Sequence, residues 1–168
     1  MKLKNSIIAF IVIGALGALF HFIYGWTNEN YVAGLIFPVN ESTWEHLKLI
    51  FYPTLIFSAF EYFILKTNPK NYLTATAIGI FFGKLTTVTL FYLYSGVLGF
   101  SVDFLNIAIF YISVIVLIKS RNCIIKSDKF QGSTAKIISA LYLVFCAILF
   151  AFWSNNPPTL GIFTPPIV

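Results

Sequence analysis

Charge is what this chain has least of. Asp, Glu, Lys and Arg make up 10% of its 168 residues, against about 25% in an ordinary soluble domain, and mean hydropathy is +0.85. Several stretches reach the roughly 20 apolar residues that cross about 30 Å of hydrocarbon. No soluble fold of this size hides five such stretches, so the soluble enzyme classes are excluded. Cysteine is nearly absent too: Cys123 and Cys146 fit no CxxC spacing. One sits in a basic loop and the other inside an apolar run, which predicts two free thiols rather than a disulfide. There are two histidines, none after His46, and no HExxH. No internal repeat is evident, and five spans do not divide into the halves of an inverted-repeat transporter.

The net charge of +5 brings no nucleic-acid motif with it. The bases lie in short runs beside apolar segments, so the expected partner is the anionic headgroup layer of the cytoplasmic leaflet, not nucleic acid. The apolar run from Ile7 to Tyr24 follows Lys2 and Lys4 but exceeds a signal-peptide core and lacks an Ala-x-Ala site, so it reads as a retained span.

The expected fold is all-α: a single integral-membrane domain over 1–168, a polytopic transmembrane helix bundle. Its spans fall at about 6–24, 44–65, 72–94, 103–118 and 136–153. Lys2, Lys4, Lys66, Lys70, Lys119, Arg121, Lys126, Lys129 and Lys136 fall on one side, 9 of the 11 bases. The other side holds Glu29, Glu41, Glu45 and Asp103, with Lys48 at the mouth of the second span. Basic residues stay inside, which predicts a cell-membrane protein with a cytoplasmic N-terminus and an outer C-terminus.

Between spans one and two, Tyr31 to Val39 is apolar but too short to cross, as in a re-entrant or interfacial piece. Pro38 ends it, and Asn40 or Ser42 can cap the next helix. Ser42-Thr-Trp-Glu45 has capping-box spacing, which gives Glu41 and Glu45 a structural reading as helix-terminal carboxylates. The Asn40-Glu-Ser42 sequon abuts a membrane helix and carries no weight. The Pro-rich tail 154–168 is no sixth span and is expected extended over the outer face.

Buried polar groups are the remaining signal. Lys84 lies 12 positions after Tyr72, about 18 Å into its span, where a lysine costs about 2.5–3.5 kcal/mol. It needs a partner, and Glu61, about 8 Å from the inner end of span two, is the acid best placed. Glu61 and Lys84 could equally lock two helices together. Gly14, Ala18, His21 and Gly25 share one face of span one, which turns His21 inward. Antiparallel spans one and two bring His21 level with His46. Asp103 and Asn106 start span four at the same end.

His21, Glu41, Glu45, His46 and Asp103 thus converge as a candidate set for one divalent transition metal such as Zn²⁺. Asn40, Glu41, Glu45, Lys48, Glu61 and Lys84 are candidate contacts for an ion or small polar ligand. Ser42, Glu45 and His46 are the candidate catalytic groups if the site is enzymatic.

Phe37-Pro-Val-Asn-Glu-Ser-Thr-Trp-Glu-His-Leu-Lys48, preceded by His21-Phe-Ile-Tyr24, resembles the signature of a family of small bacterial multi-pass membrane proteins that carries only a domain-of-unknown-function label. The resemblance covers nearly the whole chain and implies a membrane protein without supplying an activity. The tail is similar to that family's C-terminal stretch but ends early and lacks an acidic residue. Ser42 and His46 also resemble the Ser-x-x-x-His pair of the alkaline-ceramidase superfamily of membrane hydrolases, whose late histidine pair is absent here. Three functions follow as expectations: a binding or transport protein using the outer cluster, a metal-dependent hydrolase of lipid headgroups, or a small scaffold or assembly partner.

Overall fold

The computed structural model describes residues 3–66, 69–127 and 129–166, with side chains from Asn5 onward. Lys2 and the side chain of Lys4, both used above for orientation, lie outside the described residues. The chain is an all-α bundle: α1 Leu3–Trp26, α2 Tyr31–Gly34, α3 Thr43–His46, α4 Lys48–Phe63, α5 Tyr72–Leu98, α6 Asp103–Lys126 and α7 Ser133–Asn155, then a 3₁₀ turn at Gly161–Phe163.

Four of these, α1, α5, α6 and α7, are long and apolar enough to cross a membrane. The expected span 44–65 carries the chain back through the bundle as two consecutive helices, α3 and the 16-residue α4, joined at Leu47. Backbone bonds run through that joint, from Leu47 N to the Thr43 carbonyl and from Phe51 N to the Leu47 carbonyl. Glu45, His46 and Lys48 occupy its first turns, Glu61 its last, and Pro53 its middle. It lies in the interior of the bundle, burying Lys48, Ile50, Phe51, Thr54, Phe57 and Glu61.

Close packing follows the glycines. Pro53 has no N–H to offer the Leu49 carbonyl, and that carbonyl lies where a Cβ on Gly17 of α1 would meet it at 2.9 Å. The inward stripe of α1 is Ala9, Ile13, Gly17 and Phe20, not the Gly14–Ala18–His21–Gly25 face expected above. Gly14 is buried, but Ala18 and Gly25 are exposed, because a helix apolar on every side gives no periodic contrast to read. On α5, Gly79 and Gly83 form a GxxxG step, and Cβ atoms there would meet the Leu117 carbonyl at 3.0 Å and Leu117 Cβ at 3.1 Å. This lets α6 lie flat against α5.

The expected span 103–118 runs on to Lys126 as α6, which carries Arg121 into the helix and the core. The segment 31–39 is a capped turn and loop over one end of the bundle. Asn30 Oδ1 accepts from Val32 N at 2.9 Å, and Tyr31 and Val32 stay exposed. The tail returns over the same end, where Phe163 packs on Trp44 at 5.0 Å and on Trp153 at 5.3 Å between ring centres.

Candidate functional site

The segment between α2 and α4 is held by a buried ion pair. Asn40 Oδ1 accepts from Ser42 N at 2.9 Å, and Ser42 Oγ caps α3 by accepting from Glu45 N at 3.4 Å. Glu45 reaches back past Ser42: its Oε2 accepts from Val39 N at 2.9 Å, so the capping box closes on the preceding loop. The same carboxylate meets Lys48 Nζ at 2.8 Å, with both side chains almost wholly buried. Lys48 Nζ also donates to the carbonyls of Gly34 at 2.7 Å and Phe37 at 3.1 Å, which uses its three N–H groups. Ser154 of α7 donates to Glu45 Oε1 at 2.8 Å. Asn40, Ser42, Glu45 and Lys48 are therefore occupied in fixing the backbone.

Glu41 projects from this frame in the opposite sense. Its Oε2 lies 3.4 Å from His21 Nε2 and 3.3 Å from His46 Nε2, and the imidazole centres are 5.4 Å apart. Hydrogen bonding to His21, and then to His46, holds the Glu41 carboxyl well below the usual carboxylate range. His46 Nδ1 is 2.9 Å from the Ser42 carbonyl oxygen. A carbonyl only accepts, so Nδ1 carries a proton, and Nε2 faces Glu41 with a proton or a metal ion needed between the two atoms.

The tetrahedral edge for bonds of about 2.05 Å is about 3.4 Å, which the two measured separations match. The three ligand atoms lie within 4.8 Å of one another. The fixed Nδ1–H on a backbone carbonyl is the usual outer support of a metal-bound histidine. A cavity of about 40 Å³ adjoins Glu41 and His46 and extends to Thr87 and Asn106, enough for ordered water.

Of the five expected metal groups, the structure brings together His21, Glu41 and His46. Glu45 is turned into its pair with Lys48, and Asp103 is exposed at the start of α6, outside the cluster. Sharing a level along the bundle did not put Asp103 on the right side of its helix.

The expected Lys84–Glu61 pairing is overturned. Glu61 is bound by Arg121 of α6, with both side chains buried, and accepts from Tyr72 OH at 3.0 Å. The Arg121 guanidinium lies 4.9 Å over the Tyr72 ring. Lys84 donates to Cys146 Sγ at 3.0 Å and sits among the rings of Tyr142, Phe150 and Phe51 at 5.1, 5.5 and 5.7 Å. No described carboxylate pairs with it. Arg121, the chain's one arginine, is counted above only as a base of the inner side, although Val114, Leu117, Ile118 and Arg121 share one helical face. Cys123 and Cys146 are free thiols.

A family model matches residues 2–168. The chain belongs to DUF6512, a family of unknown function. No curated protein and no solved structure matches it. A member of this family is therefore understood from its own geometry.

Arg121→Met should lower stability by about 3–5 kcal/mol, because it strands a buried carboxylate. Arg121→Met combined with Glu61→Gln should recover much of that loss, while Lys84→Met with Glu61→Gln should show no mutual rescue. Denaturation of the purified protein in detergent reads all three.

Proposed function

We propose that this chain is an integral membrane protein that binds one divalent transition-metal ion, of the kind Zn²⁺ represents, through His21, Glu41 and His46. The observation that carries the reading is the convergence of two imidazole Nε2 atoms on one carboxylate oxygen, with the His46 ring oriented by its bond to the Ser42 carbonyl. Neutral imidazoles and a carboxylate form a three-ligand set that leaves a fourth position for water. Zn²⁺ held there would act as a Lewis acid on that fourth ligand.

Binding is favoured over transport. Below the cluster, the charged side chain near the middle of α5 is Lys84, whose close partners are a thiol and three rings. The next described carboxylate, Glu61, is closed by Arg121. Neither offers a cation its next ligand.

The 40 Å³ cavity beside His46 supports a second reading, a metal-dependent hydrolase of lipid headgroups. Ser42 Oγ is spent as a helix cap, so a metal-bound water would be the nucleophile. Headgroup release from phospholipid by the metal-loaded protein, absent in His46→Ala, would favour this over binding alone. A scaffold role is what remains if no metal binds.

For orientation, Lys66, Lys70, Lys119, Lys126, Lys129 and Lys136 gather at the end of the bundle opposite the metal cluster. This supports a cytoplasmic N-terminus and an outer C-terminus. A reporter active only outside the cell, fused after Val168, should be active, and fused after Lys126 should be silent; the opposite pattern would reverse the orientation.

Purified protein equilibrated with Zn²⁺ and freed of excess should retain about one ion per chain. His46→Ala and Glu41→Gln should lose it, His21→Ala should lose most of it, and Asp103→Asn should keep it. Retention of a full equivalent by His46→Ala, with the fold intact by circular dichroism, would end the proposal.

A further inference from the structure

At the end of the bundle away from the metal cluster, α4 and α7 part company. They meet through Phe51 and Phe150, 5.3 Å between ring centres. Further along they diverge, leaving an open-sided groove of about 400 Å³ floored by α5. That volume lies within the roughly 300–1,000 Å³ of small-molecule sites. Leu55, Ala59 and Phe63 of α4 form one wall, and Leu143 and Lys136 of α7 the other.

The groove has two chemistries, separated by depth. Lys70 and Lys136, both exposed, stand at its mouth, and neither pairs with a described carboxylate. From Lys136 to Leu143 the helix descends about 10 Å, and the walls there are apolar apart from the hydroxyls of Ser58, Tyr62, Tyr72 and Thr76. Phe63 and Tyr62 stay open on the flank, at 72% and 41% exposure. A soluble anion would satisfy the lysines and leave the apolar walls bare. A zwitterionic lipid would fill the walls and bring no net charge to the lysines.

We infer that this groove is a binding site for one anionic phospholipid, its phosphate between Lys70 and Lys136 and the upper part of one acyl chain lying between α4 and α7. The site rests on the membrane placement proposed above and is independent of the metal cluster at the other end. It is distinct from general attraction of the basic end to the leaflet, because Lys119 and Lys126 share that end but do not line the groove.

Native mass spectrometry of the full chain in neutral detergent, titrated with phosphatidylglycerol or phosphatidylcholine, tests it. The phosphatidylglycerol adduct should form at least about tenfold more readily. Lys70→Gln with Lys136→Gln should bring the two lipids close to parity, and Lys119→Gln with Lys126→Gln should leave the preference standing. Ala59→Trp, at an exposed position on the wall, should reduce the adduct with both lysines intact. Three results would overturn the site: no preference in the unaltered protein, an equal loss from both lysine pairs, or displacement of the lipid by an equal concentration of glycerol phosphate. Failure of the membrane placement would show separately, as protein released from membranes by an alkaline carbonate wash.

Discussion

A short helix with a charge buried at each end sets the terms for everything packed around it. Lys48 and Glu61 of α4 are both almost fully buried, and an ion left alone in such surroundings costs several kcal/mol. Each therefore needs a partner brought from elsewhere. Lys48 takes Glu45, the Gly34 carbonyl at the end of α2 and the Phe37 carbonyl of the loop after it, which ties that loop down. Glu61 takes Arg121 from α6 and Tyr72 from α5. The loop, α5 and α6 are thereby held to the central helix by charge, beside neutral contacts between the outer helices such as Thr87 Oγ1 to Ser113 Oγ at 2.9 Å and Asn122 Nδ2 to Ser6 Oγ at 2.9 Å.

The His21–Glu41–His46 cluster is a consequence of the upper pair. With Glu45 folded back onto Val39 and Lys48, the chain between Asn40 and Ser42 turns outward, and Glu41 is delivered between two imidazoles. The capping of α3 by Ser42 aims His46, since the carbonyl of that residue fixes the ring by its Nδ1. One dense run of polar residues thus divides its labour: Ser42, Glu45 and Lys48 build the frame, and Glu41 and His46 meet His21.

How much of this was legible in the sequence depends on what each residue's signal measured. Helices α1, α5, α6 and α7 were readable because bilayer thickness sets a length that apolar runs either reach or miss. His21 and His46 were readable as neighbours because antiparallel helices fix level along the axis. Level does not fix the angle around the axis, which is why Asp103 was drawn in wrongly and α1 was rotated. Lys84 and Glu61 were matched as the two conspicuous buried charges, while Arg121 was treated as a topology marker. The helical spacing of Val114, Leu117 and Arg121, and the Gly79–Gly83 step that lets α6 approach, were the signals that would have paired Glu61 correctly. The division of Glu41 from Glu45 had no sequence signal, because both lie one turn or less from the same cap and only the path of the preceding loop separates them.

The central claim is that the two histidines and Glu41, alone among the described residues, form the proposed metal site. X-ray absorption at the zinc edge of the Zn²⁺-loaded protein reads the ligands directly. The account predicts two imidazole nitrogens and one or two oxygens at about 2.0–2.2 Å, with no sulfur. A sulfur shell near about 2.3 Å, placing the metal on Cys123 or Cys146, or a shell of oxygen alone, would contradict it.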